Sequence, residues 1–112
     1  MINKIKLIPE RLLAVEGLGG KIAHNHFSEP QTFPFCVYDF SQNSQGADDF
    51  HNLLRTSVTV TLYQEVRNFD LEKDILKVFS DVEVNTYNDY ISEERMYMTE
   101  FTFEFFEKNL KG

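Results

Sequence analysis

A chain of 112 residues with 26% charged, 42% hydrophobic and 14% aromatic residues is expected to form one domain, residues 1–112, around one core, which excludes the disordered class. Eleven Lys and Arg against 18 Asp and Glu give a formal net charge of −7, which excludes a broad phosphate-binding surface and leaves room only for a local basic patch. No apolar run approaches the roughly 20 residues that span a bilayer, and the amino terminus lacks the basic flank and cleavage site of a signal peptide, so no membrane partner is expected.

In chain order, Pro9 suits the first turn of a short amino-terminal helix through Glu16, which Gly17, Gly19 and Gly20 would stop. Lys21 to Phe27 reads as a short edge strand in which His24 and His26 share a face. Pro30 and Pro34 remove two backbone donors and predict a loop over 28–34. Phe35 to Phe40, apolar apart from Asp39, reads as a strand buried on both faces. Ser41 to Asn52 turns polar and predicts a long exposed loop, including Asp48, Asp49 and Phe50, that could serve as a contact arm or could be plain solvated chain.

Arg55 to Val66 alternates strictly, Val58, Val60 and Leu62 against Ser57, Thr59, Thr61 and Tyr63, and predicts a half-buried strand. Asp70 can cap a helix over 70–82 whose Leu71, Ile75, Val78, Phe79 and Val82 fill one face. Glu83 to Ile91 predicts a strand with a turn or bulge at Asn88-Asp89. Ser92 to Arg95 turns the chain into the strongest pattern of all. There Tyr97, Thr99, Phe101, Phe103 and Phe105 alternate with Met98, Glu100, Thr102 and Glu104, a strand with one dry face and one mostly polar face. Clustered strands with separate helices predict an α+β fold, a mainly antiparallel sheet with the 70–82 helix packed on one face and a short amino-terminal helix.

Catalytic signatures are missing from this pattern. Glu100 and Glu104 share a strand face about 13 Å apart by strand rise, too far for a carboxylate pair acting on one bond. They read either as a solvated face or, within a ring, as lumen lining. His24, His26 and His51 or Asp39 have permissive but common metal-ligand spacing, and no second ligand motif fixes a site. Cys36, the single cysteine, permits no intrachain disulfide and reads as a small buried hydrophobe. No enzyme activity and no cofactor are expected. Eleven Phe and five Tyr without Trp form a heavy aromatic load that calls for broad apolar layers or a surface between subunits.

Several stretches together carry a family likeness. Phe33-Pro34-Phe35-Cys36-Val37-Tyr38, then Ala47-Asp48-Asp49, then Ser57-Val58-Thr59-Val60-Thr61-Leu62-Tyr63, a helix, Tyr90-Ile91-Ser92-Glu93-Glu94-Arg95-Met96-Tyr97 and a Phe-rich strand follow in that order. This arrangement resembles the small head-tail joining proteins of tailed bacteriophages and prophages, most of all the tail terminator or tail completion group. The chain departs from that pattern with Phe35-Cys36 where a Tyr-Ile type pair is more usual, and in its short amino-terminal helix. The resemblance implies an α+β subunit that closes a ring, commonly a hexamer, on the tail tube, stops tube growth and offers the head a docking surface. Its implied partners are further copies of itself, the tail tube protein and the head connector protein, with DNA only passing through the lumen. The implied location is the host bacterial cytoplasm during assembly and then the virion tail. Asp48, Asp49, Phe50, Glu100 and Glu104 are the contact candidates. A small monomeric binding domain with all its aromatics in the core is the alternative reading, and a metal-dependent enzyme ranks last.

Overall fold

Two alternating strands lie side by side at the centre of the molecule, and their apolar face decides where everything else packs. The computed structural model describes residues 4–45 and 53–108. Strand β3 (Leu53–Gln64) pairs antiparallel with β5 (Met96–Lys108), setting Val58 opposite Phe103, Val60 opposite Phe101 and Leu62 opposite Thr99. On the other side of β3 runs β2 (Phe35–Gln45), also antiparallel, with Cys36 opposite Leu62. Strand β4 (Asn85–Ile91) pairs antiparallel with β5 at one edge, and β1 (Ile22–His24) pairs parallel with β2 at the other, giving the order β1-β2-β3-β5-β4.

Because paired residues share a face, Cys36, Val58, Val60, Leu62, Phe101 and Phe103 form one apolar layer. Two helices cover it: α1 (Leu7–Leu13) contributes Ile8 and Leu12, and α2 (Phe69–Val78) contributes Leu71 and Ile75 to the same buried cluster. Phe79, just past α2, sets its ring 4.7 Å from that of Phe103. This is the mainly antiparallel α+β fold that the pattern predicts, with helical cover over the three-Phe strand.

Several local expectations are corrected. Ser41 to Gln45 is strand, not loop: Ser41 faces Ser57 and Gln45 faces Leu53, and Gln42 Nε2 donates to Thr56 Oγ1 at 3.1 Å. Residues 41–44 are exposed, so their polarity reports wetness, which a projecting strand satisfies as well as a loop does. The rest of the predicted loop, with Asp48, Asp49, Phe50 and His51, lies outside the described residues. Strand β2 is not buried on both faces; of residues 35–40 only Cys36 is buried, because alternation puts Phe35, Val37 and Asp39 on the far side of the sheet and the described helices only partly cover Tyr38 and Phe40. Strand β4 carries no bulge at Asn88-Asp89 and keeps its register with β5 throughout. Helix α2 ends at Val78 rather than Val82, though Phe79 keeps its place in the core.

The cap of α2 is Asn68 rather than Asp70. Its side chain accepts from the N–H groups of Asp70 at 3.1 Å and Leu71 at 3.2 Å, satisfying donors that the first turn leaves open. Asn68→Ala is therefore expected to cost about 1 kcal/mol of stability, read as a lower urea midpoint with unchanged slope. At the end of the amino-terminal helical segment, Gly19 takes φ 57° and its N–H bonds the carbonyl of Glu16, a left-handed stop that glycine adopts without strain.

The flanking strands stop early. β1 reaches only as far as Tyr38 on β2, and β4 only as far as Thr102 on β5. Beyond those levels the described sheet is a three-stranded tongue of β2, β3 and β5, and the molecule extends 49 Å along its long axis against 27 and 26 Å across.

Candidate functional site

The face of the sheet turned away from the helices carries no helix among the described residues and is met by the proline-containing loop at its Phe35–Tyr63 end, and its chemistry follows from register. One row across it runs Val37, Thr61, Glu100, Tyr87; the next runs Asp39, Thr59, Thr102, Asn85; a third, on the tongue, runs Ser41, Ser57, Glu104. Hydroxyls therefore line the middle of the face, with carboxylates on both sides. Ser57, Thr59, Thr102, Glu104, Asn85 and Glu83 border a groove of about 610 Å³ there. Glu104 is exposed, with its Oε2 4.0 Å from Arg55 Nε, an outer-face pair too long to count as a hydrogen bond. Glu100 is half-buried beside Tyr63, whose phenol is pushed above its usual range by burial first and by the charge of Glu100 second. The two predicted carboxylates thus share the wet face, as strand alternation requires.

The other end of this face is aromatic. Phe35 stacks on Tyr63 at 5.2 Å and on Phe33 at 5.7 Å, and takes Phe27 edge-on at 5.6 Å. Together with Val37, Ile91 and Met96, Phe35 and Tyr63 border a second open groove of about 590 Å³. Sequence alternation places Tyr63 on the outward side of β3, but nothing in the spacing brings Phe27 and Phe33 to it, since both reach the sheet from the proline-containing loop.

The histidines do not form a site. β1 ends at His24, and Asn25 takes a left-handed φ of 72°, so His26 leaves the strand and does not share a face with His24 as expected. The ring of His24 stacks on Tyr38 at 5.2 Å and on Phe40 at 5.1 Å, and its Nε2 lies 3.9 Å from Asp39 Oδ1. Among the described residues no group of three His, Cys, Asp or Glu is placed to hold a metal ion. The open-face hydroxyls of Ser57, Thr59, Thr61 and Thr102 lie on the opposite side of the sheet from His24, whereas His26 borders the groove at the Phe35–Tyr63 end of that face.

Cys36 is fully buried, and burial pushes its thiol up to about 12. The folded thiol holds its proton more tightly than the unfolded one, so this contribution to stability is intact below the unfolded thiol's pKa and is lost as pH rises from there toward about 12. Iodoacetamide at mildly alkaline pH is expected to leave native Cys36 unmodified and to label it fully in denaturant. Equal labelling rates in both states would contradict this burial.

A second polar cluster joins β3, α2 and β4. Glu72, 8% exposed, accepts from Gln64 Nε2 at 3.1 Å and from Arg67 through Nη2 at 2.7 Å and Nε at 3.2 Å. Arg67 Nη2 also donates to Asn88 Oδ1 at 3.2 Å, and Thr99 Oγ1 donates to the same oxygen at 2.8 Å. Spacing places Glu72 in the first turn of the helix but does not reveal that it is buried.

No family model and no curated protein matches the chain. Among solved structures, a chain of the virion of a native gene transfer agent particle is similar with a TM-score of 0.63 and 8% identity, covering 89% of this chain and 87% of that one. At that identity the likeness is one of fold.

Proposed function

We propose that this chain is a non-enzymatic structural subunit of a phage-like virion, and within that class a ring-forming tail terminator that caps the tail tube and presents the head with its docking surface. The observation that carries the reading is the shared fold, over 89% of this chain, with a chain of a gene transfer agent virion. The order of motifs resembling head-tail joining proteins supports the finer assignment.

Ring closure is a heterologous contact and needs two different adhesive surfaces on one subunit. Exposed apolar side chains stand away from the open face at both helices: Val66 and Phe69, at 75% and 61% exposure, at the start of α2, and Leu13 at the end of α1. The acidic open face suits a lumen, because carboxylates repel phosphates where Lys and Arg would grip passing DNA. In this arrangement Glu100 and Glu104 line the passage. The tongue of β2, β3 and β5 reaches toward the tail tube protein or the head connector, and Asp48, Asp49 and Phe50 are contact candidates from sequence.

Light scattering across a concentration series tests the self-association. The expected result is a mass that rises from the monomer toward that of about six copies, in keeping with a closed cyclic ring. A strictly monomeric chain at the highest concentration, both alone and with tail tubes, would count against the ring.

A further inference from the structure

Among the described residues strand β4 is an open edge of unusual plainness. All of its residues but Ile91 are exposed, and it runs in unbroken register from Asn85 opposite Thr102 to Ile91 opposite Met96. It contains no Pro, no Lys and no bulge, the devices by which sheets commonly close an edge. The opposite edge is blunted: β1 is three residues long and ends against the left-handed Asn25. Strand β4 is also held in place, since Asn88 Oδ1 accepts from Thr99 and Arg67 on the helix side of the sheet.

In an antiparallel pair, alternate residues bond their partner and the others turn their backbone groups away. Tyr90 belongs to the second set, because its N–H is held at 2.8 Å by Oδ1 of its own neighbour, Asp89. Alternation puts Thr86 and Asn88 in the same set. The edge therefore offers a row of backbone groups, one of them covered by an exposed carboxylate. Further carboxylates surround it: Glu100 lies beside Tyr87 in register, and Glu83 and Glu94 lie just outside the two ends of the strand. A second copy would bring the same carboxylates to this edge, and no described strand of the chain alternates basic residues.

We propose that β4 accepts, by strand addition, an extended segment of a partner polypeptide that carries Lys or Arg at alternate positions. One basic side chain pairs with Asp89, draws its carboxylate off the Tyr90 N–H and frees that donor for an incoming carbonyl. Tyr87 on the open face, and Tyr90 on the other with its ring 4.8 Å from Tyr97, give ring surface to the added strand's side chains. The contact does not depend on the ring reading and stands or falls separately.

The probe is the blocked heptapeptide acetyl-Lys-Val-Lys-Val-Lys-Val-Lys-amide, with an otherwise identical Glu-for-Lys peptide as its counterpart, added to the full chain and followed by amide hydrogen exchange. The expected result is that the basic peptide slows exchange at Thr86, Asn88 and Tyr90 roughly tenfold or more while Tyr87 and Asp89, already bonded to β5, change little. The acidic peptide should leave all five unchanged. Asp89→Asn should weaken the basic peptide and Asp89→Lys should weaken it further, while the remaining carboxylates at Glu83, Glu94 and Glu100 keep the acidic peptide from binding either variant. No binding, binding without the alternating protection, or equal binding of both peptides would overturn the proposal. So would the same protection arising without peptide and disappearing on dilution, which would put a second copy at the edge.

Discussion

Phe101→Ala is expected to lower the unfolding free energy by about 3–5 kcal/mol, the cost of emptying an enclosed aromatic position in the core. The ring is 1% exposed and sits opposite Val60 in the middle of the sheet's apolar layer, beneath the two helices. Removing it withdraws apolar surface and leaves a cavity that flanking strands, held in register on both sides, cannot close. Urea unfolding should show a lower midpoint with an unchanged slope. Phe106→Ala on the same strand supplies the contrast, because that ring is 45% exposed on the open face and its loss should cost no more than about 0.5 kcal/mol. Equal losses at the two positions would contradict the assignment of faces.

Glu72→Ala is expected to cost about 2–3 kcal/mol, out of proportion to a helix-surface glutamate. The carboxylate accepts from Gln64, itself buried at 2% exposure, so its removal strands a buried amide donor. It also releases the two-point contact with Arg67, whose guanidinium otherwise spans Glu72 and Asn88 and lies 4.5 Å from the centre of the Phe69 ring. Arg67→Ala should cost less, because it leaves Glu72 with Gln64 and an escape toward solvent. A double-mutant cycle between Arg67 and Glu72 is expected to give a coupling of about 1 kcal/mol or more, and additive losses would show that the pair contributes nothing together.

The central strands were legible because burial imposes a period. In β3 and β5 every second residue meets the same apolar layer, so Val58, Val60 and Leu62, and Phe101 and Phe103, announce both the strand and its inner face. The same alternation puts Glu100 and Glu104 on the wet face whichever strands lie alongside. Where that layer ends, the signal ends. Ser41 to Gln45 continues β2 beyond the helical cover, so its polar composition matches a loop although its backbone is paired. Asn68 and Asp70 are both good caps by residue type, and only geometry shows that the Asn68 side chain meets the first free N–H groups. Asn88-Asp89 resembles a turn locally, yet Asn88 is held by Thr99 and Arg67, contacts made across the fold rather than along the chain. The parallel pairing of β1 with β2 and the gathering of Phe27 and Phe33 onto Phe35 are long-range for the same reason.

The proposed ring is tested most directly by electron micrographs of tails assembled with and without this chain. With it, tubes of uniform length should each carry one ring at the head-proximal end and accept a filled head. Without it, tubes should lack that ring, vary in length and remain headless. Tails of normal length that join heads equally well in its absence, or a chain that never appears on the tube, would contradict the terminator role.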